Sequence, residues 1–169
     1  VEPPPVVDKV HELARDDAAM VKRPLAEITE IVLHHTAVDA NRPLAEIVAA
    51  HRERWPGIVY QFYILSDGTI LQTEPLTETV SKEQPYLWHG VNICLAGNFT
   101  LEIPPFPQLK AAADLIAWLL STLHLTLQDI YGLSELVQIA YLSPGYQWLH
   151  DGKYKERLLA LVSDRLQSS

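Results

Sequence analysis

Strands that alternate with helices along this 169-residue chain predict an α/β (α+β) fold, with a central mixed β-sheet flanked by helices. Three stretches carry that prediction. The apolar run Ile31-Val32-Leu33 ends in His34-His35-Thr36-Ala37, as a buried strand does when it delivers polar side chains at its tip. Residues 58–65, IVYQFYIL, alternate and carry β-branched and aromatic side chains; Ser66-Asp67-Gly68 then turns the chain into TILQT, the second arm of a hairpin. Residues 108–123 place Leu109, Ala112, Ala113, Ile116, Leu119, Leu120 and Leu123 at helical spacing, the clearest helix in the chain.

The other elements follow in order. VEPPP at residues 1–5 reads as the end of an extended, proline-stiffened linker, and a start at Val1 rather than Met reads as a processed or excised chain. Residues 6–169 then form a single domain. Val6, Val10, Leu13, Ala14 and Val21, with charges between them, predict a helix over 6–21. The first strand covers 29–35. Pro43 starts a helix through about Arg54, with Leu44, Ile47, Val48 and His51 on one side, and Pro56-Gly57 ends it. Residues 74–90 read as irregular, 91–97 (VNICLAG) as a strand, the prolines at 104, 105 and 107 as a loop, and 125–152 as loop-rich. Tyr154, Leu158, Leu161, Val162 and Arg165 trace a C-terminal helix. The hexapeptide RPLAEI occurs at 23–28 and again at 42–47; its flanks do not match, so it reads as two helix-start signals and not as a repeat.

Charge and composition exclude several classes. Thirteen Lys and Arg against 21 Asp and Glu give a net charge of −8, with no basic stripe to neutralise phosphates, which argues against nucleic acid and against an anionic membrane surface. No apolar stretch approaches the roughly 18 residues that membrane insertion as a helix requires. Cys94 is the only cysteine, so the chain has neither an internal disulfide nor a cysteine-rich zinc site.

The adjacent histidines raise the question of a metal. Neighbouring residues of a strand point to opposite faces, so only one of His34 and His35 is a candidate ligand, and the other packs or hydrogen-bonds behind it. A catalytic zinc needs about three protein ligands and an open position. His11, His51, His89, His124 and His150 stand at no recognised ligand spacing, and the positions of His51 on a helical stripe and His124 at a helix end read as structural.

The order of segments adds a resemblance. IVLHHTA, AAHRERWPGIVYQFYILSDGTI, WHGVNICLAGNFT, a long helix and YGLSELVQIAYLSPGYQW resemble, across residues 22–150, the zinc-dependent N-acetylmuramoyl-L-alanine amidases. That family includes peptidoglycan recognition proteins and phage endolysin amidases. The resemblance implies a mixed sheet flanked by helices and a peptidoglycan-binding groove with zinc at its floor. It also implies cleavage of the amide between the muramic acid lactyl group and L-alanine.

Its active-site residues carry over poorly. The first implied ligand falls on His34. The second belongs to a Gly-His-x-Glu stretch, here Gly132-Leu133-Ser134-Glu135, and the third precedes Pro-Gly, here Ser143 before Pro144-Gly145. The usual Tyr-His is Tyr60-Gln61, the usual lysine two residues before the third ligand is Tyr141, and the glutamate of one branch falls on Cys94. Leucine has no lone pair, and a neutral serine hydroxyl is a poor zinc ligand. The expectation is therefore no zinc, no catalytic residue, and a groove that binds peptidoglycan or muropeptides in the cell envelope or outside the cell.

By the same resemblance, His34, Trp55, Tyr60, Gln61, His89, Asn98, Tyr141, Ser143 and Trp148 line or border the groove. Core packing competes with that role for Trp55 and Trp148, and a buried hydrogen-bonded histidine competes for His89. Two other classes of function stay open. One is an active amidase, with zinc held by His34 together with His35, His89 or Cys94, or a hydrolase with Cys94 as a histidine-paired nucleophile. The other is a protein-interaction domain that docks other envelope proteins.

Overall fold

The computed structural model of the chain describes residues 1–138 and 142–168. Its strands are β1 (Val7–Asp8), β2 (Val21–Lys22), β3 (Glu30–His35), β4 (Phe62–Ile64), β5 (Ile70–Gln72), β6 (Glu78–Thr79), β7 (Gly90–Leu95) and β8 (Ile130–Gly132). Its α-helices are α1 (Leu44–Arg52), α2 (Pro85–His89), α3 (Phe106–Leu123), α4 (Leu133–Leu136) and α5 (Tyr154–Gln167). Six strands form one mixed sheet in the order β1-β5-β4-β7-β3-β8, in which only the β4–β5 hairpin is antiparallel; β2 and β6 form a separate antiparallel pair.

Alternation along the central strands builds two cores. Ile31 and Leu33 of β3, Phe62 and Ile64 of β4, and Val91, Ile93 and Leu95 of β7 turn to one face, against the apolar sides of α3 and α5. Each of the fully buried Ile and Leu side chains here contributes about 1.5–3 kcal/mol. Tyr63 and Cys94 turn to the other face, beneath Val48 of α1 with Ile58, Tyr60 and Leu71. Because β3 is parallel to both neighbours, all three strands deliver their carboxyl ends to one edge of the sheet, where ligand sites of open α/β sheets form.

The predicted helix over 6–21 is not formed. This segment holds β1, a 3₁₀ turn at Val10–Glu12 and β2. Its groups have stronger partners elsewhere. Asp8 Oδ1 accepts the Val10 N–H at 2.9 Å, Asp16 N–H reaches Pro56 O at 2.8 Å, and Arg15 pairs with Glu74 at 2.5 Å and Glu78 at 2.8 Å. Such local and long-range bonds compete with a marginal amphipathic helix and win. Val1 and Val6 lie partly buried against the main core.

The segment over 74–90, read as irregular, contains β6 and α2. Buried Arg23 secures it: its guanidinium donates to Leu76 O, Leu87 O, Trp88 O and Gly90 O at 2.8–3.1 Å. Within 125–152 lies the unpredicted strand β8, introduced by a capping box between Thr126 and Asp129. Leu33 stands opposite Gly132, so β8 ends level with the tip of β3 and sets Leu133 beside His34.

Candidate functional site

A cavity of about 470 Å³ opens at the shared carboxyl ends of β3 and β8. His34, His35, Thr36, Ala37, Tyr60 and Thr100 line it, together with Leu133, Leu142, Ser143 and Tyr146 from the segment after β8. Local structure accounts for this convergence. Gly132 packs so closely on the Trp148 indole and Pro144 that no Cβ fits between them. Glu135 reaches back to the Gly132 N–H at 3.0 Å, which starts α4 and points Leu133 at the cavity. Ser134 N–H donates to Ser143 O at 2.8 Å, holding the two ends of this segment together.

His34 and His35 leave β3 on opposite faces, as strand geometry requires. His34 is buried, its Nε2 lies 2.7 Å from Asn92 Oδ1, and its ring centroid is 4.9 Å from that of Tyr60. The His35 ring turns the other way: its Nδ1 accepts the Phe99 N–H at 3.1 Å. The His35 backbone N–H donates to Ser143 Oγ, also at 3.1 Å. Burial lowers the pKa of His34, His35 and nearby His51 to about 4 each, so all three imidazoles are neutral at pH 7.

Beneath His34 runs a chain of buried amides. Asn92 Nδ2 donates to Tyr86 O at 3.0 Å and Gly90 O at 3.3 Å. The Asn92 N–H donates to Gln61 Oε1 at 2.8 Å, and Gln61 Nε2 donates to Glu78 O at 3.2 Å. Cys94 is fully buried, and burial pushes its thiol up, away from the thiolate that nucleophilic attack needs. Burial, then neighbouring Cys94, likewise pushes the Tyr60 hydroxyl well above its ordinary range. Among the described residues no three or more His, Cys, Asp or Glu side chains group so as to hold a metal.

The residues singled out from the sequence divide into three sets. His34, Tyr60 and Ser143 meet in the cavity, and Gln61 supports it from below through Asn92. Asn98 sits at the rim, exposed, with its Nδ2 on Ala37 O at 3.4 Å. Trp55, His89 and Trp148 do not enter the cavity. Trp55 packs against Met20, Val80 and Leu87. His89 ends α2 at the start of the sheet, where its Nδ1 meets Glu27 O at 2.8 Å. The β3 register separates that end from His34 by four residues, about 13 Å. Trp148 is a core residue, 1% exposed, with its indole N–H on Glu135 at 2.6 Å. Tyr141 lies outside the described residues.

Sequence reasoning passed over Asn92, Thr100, Leu142 and Tyr146. Asn92 carried a legible signal: an amide inside the otherwise apolar strand VNICL, on the same alternation as Cys94. Tyr146, stacked on His150 with centroids 4.6 Å apart, depends on a loop path that no periodicity announces. Among the described residues no helix is long and apolar enough to cross a membrane.

Comparison with known proteins agrees with this architecture. The endolysin N-acetylmuramoyl-L-alanine amidase LysCS from Clostridium intestinale superposes with a TM-score of 0.73 at 24% identity, over 94% of this chain and 97% of that one. Drosophila peptidoglycan recognition protein SA gives 0.70 at 24% identity, over 84% and 86%. Peptidoglycan recognition protein-LE, solved in complex with tracheal cytotoxin, a monomeric diaminopimelic acid-type peptidoglycan, gives 0.70 at 19% identity, over 84% and 88%. Among curated proteins the sequence has no match. The family model described as N-acetylmuramoyl-L-alanine amidase matches residues 24–153, most of the domain, and the chain belongs to that family.

Proposed function

We propose that this domain binds peptidoglycan fragments in the cavity around His34 and does not hydrolyse them through a zinc centre. The observation that carries the proposal is the placement of Leu133 and Ser143. These are the positions at which the family resemblance puts the second and third zinc ligands, and both line the cavity with His34.

The donor set does not fit zinc. Leu133 has no lone pair to give. Ser143 Oγ is neutral and already accepts the His35 N–H at 3.1 Å. His34 alone supplies one imidazole where about three ligands are needed. The residues named as alternative ligands do not complete the set. His35 Nδ1 is taken by Phe99 N–H, His89 sits at the other end of the sheet, and the Cys94 thiol is neutral and buried. Without a metal, nothing in the cavity lowers the pKa of water toward neutrality or polarises an amide carbonyl as a Lewis acid does.

The binding half of the proposal rests on the shape and chemistry of the cavity. Aromatic Tyr60 and Tyr146, apolar Leu133 and Leu142, and the hydroxyl of Ser143 suit a glycopeptide that is part sugar and part peptide. A relative of the same fold is solved with a muropeptide bound. The compartment this implies is the cell envelope or the exterior.

Two measurements test the proposal together. Elemental mass spectrometry on protein purified without chelator or histidine tag is expected to give zinc near zero per chain. Co-sedimentation with purified peptidoglycan is expected to exceed background. One zinc per chain, or no co-sedimentation, would overturn it.

A further inference from the structure

The buried amide chain below the cavity determines which nitrogen of His34 faces a ligand. Asn92 Nδ2 sits within reach of two carbonyl oxygens, Tyr86 O at 3.0 Å and Gly90 O at 3.3 Å, so that atom is the donor end of the amide. The opposite end, Oδ1, has only lone pairs to offer and lies 2.7 Å from His34 Nε2. Nε2 must therefore carry the imidazole proton, and Nδ1 holds the free lone pair. Nδ1 has no protein partner among the described residues, and His34 lines the cavity.

Ser143 presents the complementary group. Its Oγ accepts the His35 N–H, and its own hydroxyl proton has no acceptor among the described residues. Among the described residues the cavity lining contains no carboxylate, so a cationic ammonium donor would be desolvated there without a counter-charge. A sugar hydroxyl placed on Nδ1 carries lone pairs of its own, and the described lining residues Leu133 and Leu142 have no donor to give them. A secondary amide N–H has no lone pair to strand.

We propose that Asn92 is a positioning residue that locks His34 as a hydrogen-bond acceptor at Nδ1, and that this acceptor, with the Ser143 hydroxyl as donor, recognises a peptide amide of the ligand. The amide class rests on reading the cavity as a muropeptide site; the tautomer lock does not. The histidine thus has a use that requires no metal.

The test uses the whole chain labelled with ¹⁵N-histidine at neutral pH. Long-range ¹H–¹⁵N spectra report each ring's tautomer, and the probe is N-acetylmuramoyl-L-alanyl-D-isoglutamine. His34 is expected as the Nε2–H tautomer in the free protein, with the Nδ1 resonance moving as the probe saturates the site. Asn92→Ala is expected to mix the tautomers and weaken probe binding about 5–30-fold by calorimetry. Asn92→Asp, which sets an oxygen where Nδ2 donates to Tyr86 O and Gly90 O, is expected to keep the proton on Nε2 but to favour the imidazolium, which occupies Nδ1 and weakens probe binding. A purely packing role for Asn92 would not produce that tautomer signature.

An Nδ1–H tautomer in the free protein overturns the lock. So does an Asn92→Ala spectrum identical to the parent's. A stationary Nδ1 resonance at saturation overturns the amide assignment. No heat at millimolar probe overturns the muropeptide reading with it, while the tautomer spectra still decide the role of Asn92.

Discussion

Replacing Glu135 with alanine will destabilise the domain by about 2–4 kcal/mol, although the residue touches no part of the cavity. Its carboxylate accepts the Trp148 indole N–H at 2.6 Å, the Gly132 N–H at 3.0 Å and the Lys155 ammonium at 2.8 Å. Trp148 is 1% exposed, so an unpartnered indole N–H there costs about 1–3 kcal/mol. Losing the bond that starts α4 costs about 0.5–2 kcal/mol. The half-exposed pair with Lys155 adds about 0–1 kcal/mol. The three share one carboxylate and do not add fully. For a domain of this size the loss lowers Tm by about 5–15 °C. Urea unfolding followed by tryptophan fluorescence measures it directly. Glu135→Gln keeps an acceptor and should lose about half as much. An alanine variant within about 0.5 kcal/mol of the parent would refute the reasoning, as would a glutamine variant no better than alanine. The result bears on the site, because Glu135 holds the turn that brings Leu133 to the cavity.

Other perturbations probe the cavity and the buried titratable groups around the sheet. Leu133→His combined with Ser143→Asp should raise zinc uptake from near zero to about one per chain by elemental analysis, since about three ligands suffice; no uptake would mean that the two positions do not converge on His34. Tyr60→Ala should weaken muropeptide binding about 5–30-fold in calorimetry. His89→Ala should leave binding unchanged, because that ring lies at the far end of the sheet; equal losses in both variants would contradict the assignment of the site. His34, His35 and His51, lowered by burial to about 4 from the ordinary 6.5, contribute stability that is full above pH 6.5 and is lost as pH falls toward 4. Their ring-proton titrations by NMR should show midpoints near 4, and midpoints near 6.5 would show that the rings are open to water. Glu74, raised by burial to about 7 despite Arg15, acts in the opposite sense: its contribution is full below 4.5 and is lost as pH rises through 7. Urea midpoints of Glu74→Gln across that window should lack the decline.

Much of the fold was legible because its strongest elements carry their own pattern. The alternation in Phe62-Tyr63-Ile64 and the heptad-like stripe of α3 state their faces without outside help; the strand predicted over 58–65 forms only at Phe62–Ile64, and Ile58 and Tyr60 pack with Tyr63 and not with Phe62 and Ile64. The first segment misled because Val10, Leu13 and Val21 sit at helical spacing, while Asp8, Asp16 and Arg15 find partners in distant loops that no local window contains. Strand β8 is three residues long, too short for any period, and exists because β3 offers it an edge. At the site, His34, Tyr60 and Ser143 were reached through segment order, and strand alternation correctly split His34 from His35. Trp55 and Trp148 take the core-packing alternative and His89 is hydrogen-bonded outside the cavity, because segment order gives sequence neighbours and not the end of the sheet at which a side chain emerges. Asn92 acts only through a hydrogen bond across strands, from β7 to β3, which becomes visible once the register is known.

The central claim is a muropeptide site that functions without zinc. It is tested most directly by titrating N-acetylmuramoyl-L-alanyl-D-isoglutamine calorimetrically into the protein twice, once after exhaustive chelation and once with equimolar zinc. The same saturable binding is expected in both titrations, with an intact glycopeptide afterwards by mass spectrometry. Binding that vanishes on chelation and returns with zinc, or release of lactyl-linked sugar from the peptide, would contradict it.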